Sequence, residues 1–185
     1  MLQTKSITKT IKNDPQTLAD VEQLYNQAFP KQEQAPLPFL INETKRETIQ
    51  FTAYYDGDDF VGLTYTLTYN DMTYLWYLAA ATELRGKGYG SQILKQLREA
   101  YPNNRLILNL DVQDESANDS EIRKKRQAFY LKNGYELTNY ECIFNKNHLN
   151  VMTTNGAITA DEYLSIFKNN FGPIMKLFMK PKIIN

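Results

Sequence analysis

The sequence predicts an α/β domain of the layered α+β type, in which helices flank a mixed, mostly antiparallel sheet with one parallel β–α–β crossover. Three observations support this fold class. Short segments of β-branched and aromatic residues follow one another between residues 48 and 80, helical periodicity precedes and follows them, and a strand–helix–strand unit spans residues 73–112. A length of 185 residues is typical of one domain with one core.

In the first half of the chain, Asp14 and Pro15 predict the N-cap and the first residue of an amphipathic helix that ends before Pro30. Changes of hydrophobic period from helical to alternating predict the other elements of this half. They are, in order, a strand, a short helix, the two strands of a hairpin and a central strand, over residues 6–11, 39–46, 48–55, 60–69 and 73–80.

In the second half, Gly134 suits the left-handed C-cap of a helix, and Thr159 with Glu162 forms a capping-box pattern. The expected elements are a helix, a strand, a helix, two strands and a helix, over residues 91–101, 106–112, 121–133, 135–144, 149–154 and 159–167. We expect residues 1–156 to form one domain. Residues 157–185 should add a helix and an apolar tail that packs on this domain or on a partner subunit, so a homodimer is an open possibility.

The charge balance excludes several classes of function. The 21 Lys and Arg residues are matched by 21 Asp and Glu residues, whereas a nucleic-acid surface requires a basic excess, so we expect no nucleic-acid partner. One cysteine, Cys142, and one histidine, His148, cannot build an internal disulfide or a Cys/His zinc site. With no signal peptide and no apolar run of about 18 residues, we expect a cytoplasmic, metal-free protein without a membrane partner.

The most informative segment is Arg85-Gly86-Lys87-Gly88-Tyr89-Gly90, where a central strand passes into a helix. Alternate glycines leave the backbone N–H groups of such a turn accessible beside the positive end of the helix dipole, which favours binding of a di- or polyphosphate. A P-loop would need Ser or Thr after Lys87, and the dinucleotide fingerprint would need a glycine where Ser91 or Ile93 stands. Both of these phosphate motifs are therefore excluded.

Two motifs resemble those of the GNAT superfamily of N-acetyltransferases. Residues 85–90 match its Arg/Gln-x-x-Gly-x-Gly/Ala pyrophosphate loop, and residues 129–135, Phe-Tyr-Leu-Lys-Asn-Gly-Tyr, resemble its helix-to-strand segment Phe/Leu-Tyr-x-x-x-Gly-Phe/Tyr. The resemblance covers about residues 48–144 and includes the first helix, and the residues after 156 have no counterpart in it. It implies the GNAT fold, acetyl-CoA as cosubstrate and direct transfer of the acetyl group to a primary amine of a small molecule or peptide through a ternary complex.

The resemblance also implies roles for individual residues. The backbone amides of residues 85–90, with Ser91 at the helix start, would hold the pyrophosphate of coenzyme A. Leu78 and Ala80 would pair through their backbone with the pantetheine arm. Tyr130 would be the general acid that reprotonates the departing thiolate, and a core position beside Phe129 is the other interpretation of this residue.

The general base is not identified by the sequence. Some members of the family carry a glutamate on the strand before the phosphate loop, where this chain has Tyr74, Leu75, Trp76 and Tyr77. A water relay or a carboxylate from elsewhere would be needed, with Asp111 and Glu83 as candidates, and positioning alone can supply much of the rate. Cys142 is expected to be a buried strand residue and His148 a surface residue in a turn, so neither is expected to act in catalysis.

Aromatic and acidic residues are the only indications of the acceptor. Tyr74, Trp76 and Asp111 are candidate substrate contacts, because aromatic rings and carboxylates attract a cationic amine. Ordinary strand tyrosines and solvated turns explain the same pattern. Two other functions remain open: a non-catalytic acyl-CoA sensor or interaction module on the same fold, and a different nucleotide-phosphate binder.

Overall fold

The computed structural model describes residues 1–10, 14–81, 84, 86–171 and 181–184. The chain divides into two compact units. The first unit comprises Met1–Leu67 and Leu75–Pro102, and the second comprises Thr68–Tyr74 and Asn103–Asn185. Strand β4, Met72–Ala80, contributes residues to both units.

The first unit begins with strand β1 and ends with helix α4, which follows the glycine-rich turn. Its elements are β1 (Gln3–Ser6), α1 (Ile7–Thr10), α2 (Pro15–Ala28), α3 (Leu37–Glu43), β2 (Ile49–Asp56), β3 (Asp59–Tyr69, which ends in the second unit), the second part of β4 and α4 (Tyr89–Ala100). Asp14 caps α2, because its carboxylate accepts a hydrogen bond from the Thr17 N–H at 2.9 Å, as the sequence predicts.

The second unit contains the helix and strands of the second family motif. Its elements are the start of β4, then β5 (Arg105–Asp111), α5 (Ser120–Lys132), β6 (Glu136–Phe144), β7 (Asn147–Thr153), α6 (Ala160–Asn170) and β8 (Lys182–Ile184). Gly134 has a φ of 81° and follows α5, and Thr159 and Glu162 form both bonds of a capping box at α6. These local predictions are confirmed.

Within the described residues, the sheet has eight strands in the order β1-β2-β3-β4-β5-β7-β6-β8. Neighbouring strands with a described register are antiparallel except β4 and β5, which are parallel, as expected for strands joined by a helical crossover. The parallel ladder runs from Met72↔Arg105 to Tyr74↔Ile107, although β4 continues to Ala80. The predicted mixed, mostly antiparallel sheet with one parallel pair is confirmed.

Helix α4 is fixed by a close approach to the sheet. Its apolar face buries Ile93, Leu94 and Leu97. A Cβ added at Gly62 of β3 would lie 2.5 Å from the Ala79 carbonyl oxygen and 2.7 Å from Ile93 Cδ1, so glycine is the residue that fits there. The start of α4 is therefore held at a defined place after β4.

One predicted element is wrong. Residues 6–11 alternate like a strand, but β1 ends at Ser6 and Ile7 begins a short helix in which its own side chain is only 1% exposed. Burial of Ile7 overrides the local β propensity of the segment. The tail also contains an unexpected strand, since β8 pairs antiparallel with β6 at Cys142↔Ile183. No helix of the described residues is long and apolar enough to cross a membrane.

Candidate active site

The glycine-rich turn between β4 and α4 has the backbone geometry of an anion cradle. Gly86 and Gly88 have φ values of 84° and 82°, in the left-handed region that favours glycine. Both are exposed, and a Cβ built on either would meet no atom within 4 Å, so the turn opens to its surroundings. Residues 85 and 83 lie outside the described part of the chain, so the predicted roles of Arg85 and Glu83 stay predictions.

The first turn of α4 supplies the donors. Gly88 is its N-cap and makes no side-chain cap hydrogen bond. The first N–H groups of a helix have no intrahelical acceptor, and here they belong to Tyr89, Gly90 and Ser91, beside the exposed Lys87. These residues fit a phosphate group, because the backbone donors, the helix dipole and the lysine all favour an anion at the same point.

The Tyr89 side chain bonds a carboxylate of the first unit and does not belong to the anion cradle. Its hydroxyl donates to Asp56 Oδ2 at 2.9 Å, and this hydrogen bond raises the pKa of Tyr89. The ring is half-buried and packs with Leu84 and Leu78 against Leu2, Tyr54, Val61 and Ile93. Tyr89 therefore ties the turn to β2, and only its backbone N–H points to a role in anion binding.

The second part of β4 carries the predicted contacts of the pantetheine arm. Leu78 and Ala80 are half-buried, whereas Ala79 between them is buried. The Ala81 N–H donates to the Val61 carbonyl at 2.9 Å, which holds the end of the strand to β3. The strand therefore has a fixed position up to Ala81.

An aromatic cluster surrounds the middle of β4. Trp76 stacks on Tyr77 with ring centroids 5.2 Å apart and an interplanar angle of 14°, and both rings contact Tyr65. Neighbouring residues of a regular strand point to opposite faces, so this stacking marks a local departure from alternation in β4. Trp76 is half-buried, and its predicted role as a substrate contact stays a prediction.

A cavity of about 190 Å³ lies within the first unit, beside α2 and the end of β4. Its lining residues are Asp20, Gln23, Leu24, Gln27, Phe60 and Ala81. Sequence patterns did not indicate this cavity, because its lining is assembled from one face of α2 and from residues far away along the chain. It offers one carboxylate, two amides and an aromatic ring to a small polar ligand.

Tyr130, the predicted general acid, lies in the last turn of α5 in the second unit. Its ring packs edge-to-face against Phe129 at 5.1 Å and Tyr135 at 5.5 Å, and the side chain is half-buried. Burial of the hydroxyl raises the pKa of Tyr130 to about 12, against a smaller lowering effect of Arg126. The phenol is therefore protonated at neutral pH, which is the form that a general acid requires.

Two further candidate substrate contacts, Tyr74 and Asp111, each bond another side chain of the second unit. The Tyr74 ring is 2% exposed and its hydroxyl donates to Asn109 Oδ1 at 2.6 Å, so the side chain is buried in this structure. Asp111 forms an ion pair with Arg126 at 3.2 Å, and its side chain is 23% exposed. The Asp111 carboxylate is thus engaged by Arg126, and the general base stays unidentified.

A buried polar cluster in the second unit was not predicted. Asn109 Oδ1 accepts from Tyr163 at 2.8 Å as well as from Tyr74, and Asn109 Nδ2 donates to Cys142 Sγ at 3.2 Å. Burial raises the pKa of both Tyr163 and Cys142, so both stay protonated. The sequence signal for this cluster is an asparagine in the middle of an apolar central strand. These contacts make Cys142 a structural residue, as expected.

His148 lies in β7 rather than in the turn where the sequence places it. The turn is Asn145–Lys146, with φ values of 51° and 69°, which is the geometry of a two-residue hairpin loop. The His148 ring contacts the Glu141 carboxylate and is about half exposed. No group of three or more potential metal-ligating side chains occurs among the described residues.

Comparisons with known proteins identify the family. The model of the acetyltransferase (GNAT) family matches residues 18–135. A putative GNAT-family acetyltransferase from Bacteroides thetaiotaomicron is 22% identical, with a TM-score of 0.73 over 89% of this chain and 93% of that chain. A comparison with curated proteins finds no significant match.

Two other solved structures share the fold at lower identity. An aminoglycoside 6'-N-acetyltransferase complexed with coenzyme A is 16% identical, with a TM-score of 0.64 over 82% of this chain and 96% of that chain. The ribosomal-protein-S18-alanine N-acetyltransferase from Escherichia coli is also 16% identical, with a TM-score of 0.59 over 87% and 97% of the two chains. At these identities the structural likeness establishes the fold alone.

Proposed function

Because the chain belongs to the GNAT family of acetyltransferases, we propose that it is an N-acetyltransferase that uses acetyl-CoA to acetylate a primary amine of a small molecule or peptide. The observation that carries this proposal is the open glycine turn with left-handed Gly86 and Gly88 at the uncapped start of α4. Solved relatives of the same fold are described as complexes with coenzyme A or acetyl-CoA, which agrees with an anion at this turn.

The turn would hold the pyrophosphate of the cosubstrate. The backbone N–H groups of Gly86 and of residues 88–91 would donate to the phosphate oxygens. The Lys87 N–H bonds the Leu84 carbonyl at 3.3 Å, so Lys87 would add only the charge of its side chain. Arg85 completes the motif in sequence. Leu78 and Ala80 would pair through backbone groups with the extended arm, so β4 positions the reactive end.

Acetyl-CoA supplies the acetyl group as a thioester when it is bound. The chain contributes positioning of the two reactants in a ternary complex, and no covalent nucleophile is required. Tyr130 would donate its hydroxyl proton to the departing sulfur, and its raised pKa keeps that proton in place up to strongly basic pH. Trp76, Tyr74 and Asp111 remain the proposed acceptor contacts.

We also propose that residues 1–156 carry the reaction and that residues 157–185 are an addition packed on the same chain. The contacts of α6 support this arrangement, since Arg105 bonds Glu162 at 2.8 Å and the rings of Tyr163 and Phe167 lie against Tyr74. Pairing of β8 with β6 supports it as well. A homodimer is a separate prediction, which light scattering of the purified protein would decide.

Three measurements, of binding, of stability and of acetyl transfer, test the proposed function. Calorimetric titration should show binding of coenzyme A and acetyl-CoA but not of ATP or NAD, and acetyl-CoA at about 100 times its dissociation constant should add about 2.7 kcal/mol to stability. Mass spectrometry should then show an increase of one acetyl group on an amine of a panel that contains spermidine, an aminoglycoside and an alanine-starting peptide. Absence of coenzyme A binding would refute the proposal.

A non-catalytic acyl-CoA sensor is the second candidate. It is favoured by one observation, that β4 carries Leu75, Trp76 and Tyr77 where some relatives carry a glutamate base. A sensor would bind coenzyme A with the same affinity and transfer no acetyl group to any amine. Turnover of any panel amine excludes it.

A further inference from the structure

The side chain of Tyr89, the first residue of α4, reaches the end of β2. Its hydroxyl donates to Asp56 Oδ2 at 2.9 Å, and Asp56 is the last residue of that strand. The backbone N–H of Tyr89 is one of the donors at the helix start, because the first intrahelical bond of α4 runs from the Gln92 N–H to the Gly88 carbonyl at 3.0 Å. Tyr89 therefore combines a donor for the proposed anion with a side chain bonded to another element of the first unit.

Tyr89, Ile93 and Gln96 lie on one face of α4, since residues three and four positions apart are neighbours on a helix. Ile93 is fully buried in a cluster that contains Leu2, and the Tyr89 ring packs against this cluster. The Gln96 side chain bonds the Leu2 backbone twice, because it accepts from the N–H at 3.1 Å and donates to the carbonyl at 2.9 Å. This face of α4 therefore has an apolar centre with a hydrogen-bonding side chain at each end.

The hydrogen bond of Tyr89 adds a direction that apolar packing lacks. Burial of apolar surface is non-directional, whereas a hydrogen bond weakens steeply when its donor and acceptor move out of line. The bond to Asp56 begins in the first turn of α4, so it resists rotation of this turn about the helix axis. Such a rotation would direct the N–H groups of residues 89–91 away from a common point, and these groups cannot adjust by rotating a side chain.

The turn before α4 has little stiffness of its own. Gly86 and Gly88 both have a positive φ and no atom within 4 Å of an added Cβ. Glycine has the largest conformational freedom of all residues, so the backbone preferences of these two positions do not define the turn. Contacts of the neighbouring residues must do so. On one side the Lys87 N–H bonds the Leu84 carbonyl at 3.3 Å, and on the helical side the hydroxyl of Tyr89 bonds β2.

We propose that Tyr89 is a positioning residue for coenzyme binding, because its hydroxyl, bonded to Asp56, directs the N–H groups of residues 89–91 toward the pyrophosphate. The inference rests on the proposed binding of acetyl-CoA at the glycine turn. The hydroxyl does not touch the anion and acts through the backbone of its own residue. Phenylalanine at position 89 would keep the apolar packing and lose this bond, so the requirement is for the hydroxyl and not for the ring.

Tyr89→Phe tests the positioning role without removing the ring. Tyr54→Phe is the matched control, because Tyr54 belongs to the same cluster and its hydroxyl is hydrogen bonded with Thr64 Oγ1 of β3 at 3.1 Å. Asp56→Ala removes the acceptor of the Tyr89 hydroxyl, whereas Asp56→Asn removes the charge and keeps an acceptor oxygen. All variants are compared as full-length chains whose thermal unfolding is measured first, so that a general loss of stability is recognised.

Calorimetric titration should show coenzyme A binding about three- to tenfold weaker in Tyr89→Phe and in Asp56→Ala than in the wild type, the loss typical of one hydrogen bond. The double variant should bind no more weakly than either single variant, because both substitutions remove the same bond. Asp56→Asn and Tyr54→Phe should bind within about twofold of the wild type. In turnover, Tyr89→Phe should raise KM for acetyl-CoA and leave kcat and the amine KM within about twofold.

Hydrogen exchange of the free protein gives a readout that needs no ligand. A peptide that covers the first turn of α4 should exchange faster in Tyr89→Phe and in Asp56→Ala than in the wild type, because the bond that orders this turn is lost. The same peptide should exchange at the wild-type rate in Tyr54→Phe.

Four results would overturn the inference. They are wild-type coenzyme A affinity or wild-type exchange in Tyr89→Phe, additive losses in the double variant, an equal loss in Asp56→Asn and Asp56→Ala, which would assign the effect to charge, and an equal loss in Tyr54→Phe, which would assign it to general destabilisation. A wild type that fails to bind coenzyme A refutes the proposed function and the inference with it. A wild type that binds, beside an unaffected Tyr89→Phe, refutes the inference alone.

Discussion

Helices α4 and α5 each carry one of the two family motifs, but they are held in different ways. Helix α4 buries Ile93, Leu94 and Leu97, whereas no residue of α5 is fully buried and its Ile122 is 59% exposed. Polar contacts tie α5 to the end of β5, where Arg123 bonds the Val112 carbonyl at 3.0 Å and Arg126 pairs with Asp111 at 3.2 Å. Apolar packing thus fixes α4, whose N-terminus we propose as the anion site, whereas polar contacts hold the helix that carries Tyr130.

The difference in packing between α4 and α5 matches how exactly each proposed role requires its helix to be placed. An anion site made of backbone N–H groups works only if the helix start is held at a constant place, since the donors cannot adjust by rotating a side chain. A phenol at the end of α5 can adjust its own position through its side-chain torsions. The less tightly packed helix is therefore compatible with a role in proton transfer.

The largest effect is expected when the packing of α4 is removed. Ile93→Ala should destabilise the protein by about 2–5 kcal/mol, because it leaves a cavity where Ile93 meets Gly62 of β3. Ile122→Ala on α5 should change stability by less than about 0.5 kcal/mol. Urea unfolding of both variants checks this comparison, and equal losses would contradict the difference between the helices.

The second-largest effect, on coenzyme A binding, is expected for a substitution at the start of α4. Gly88→Glu should weaken coenzyme A binding by at least about 100-fold, since a side chain is strained at a φ of 82° and its carboxylate repels phosphate. Gly57→Glu is the matched control, because Gly57 also has a positive φ, 62°, with no atom within 4 Å of an added Cβ. Calorimetry should find the wild-type affinity in this control, and a similar loss in both variants would assign the effect to strain alone.

The effect of Tyr130 on α5 should appear in turnover and not in binding. Tyr130→Phe is expected to lower kcat by about 10- to 100-fold while the dissociation constant of coenzyme A stays unchanged. Because the pKa of Tyr130 is raised to about 12, the phenol stays protonated, and the wild-type rate should show no decline from Tyr130 ionisation up to about pH 10. A variant as active as the wild type would assign Tyr130 to packing.

The smallest effect on stability is expected in α6, which is held both by apolar packing and by polar contacts. Glu162 bonds Arg105 and its own helix start, so its pKa is lowered to about 2. A lowered carboxylate pKa in the folded state contributes stability above the unfolded value and loses it as pH falls from about 4.5 toward 2. The side chain is 39% exposed, so solvent screening limits the contribution to about 1 kcal/mol or less.

Glu162→Gln should therefore remove part of the acid dependence of the unfolding free energy between pH 5 and 2. Thermal unfolding across this range, with the exposed Glu121→Gln as control, measures the difference. Identical acid dependence in wild type and Glu162→Gln would show that the contacts of Glu162 with Arg105 add no measurable stability to α6.

The sequence predicted the motifs and most elements, because these depend on local chemistry. Caps such as Asp14 and Gly134, the capping box of Thr159 and the glycine turn act within a few residues of chain, so their signals are visible without a structure. The strand expected over residues 6–11 was wrong because burial of Ile7 depends on distant residues.

By itself, the sequence determined the fold class and the glycine turn, since spacing and residue type are sufficient for a period and for a left-handed turn. Only the tertiary structure decided that Tyr74 is buried against Asn109 and that Tyr77 binds the Glu33 carbonyl. These pairs lie 35 and 44 positions apart along the chain. Hydrogen bonds at such separations depend on how the elements pack, which no local pattern of residues records.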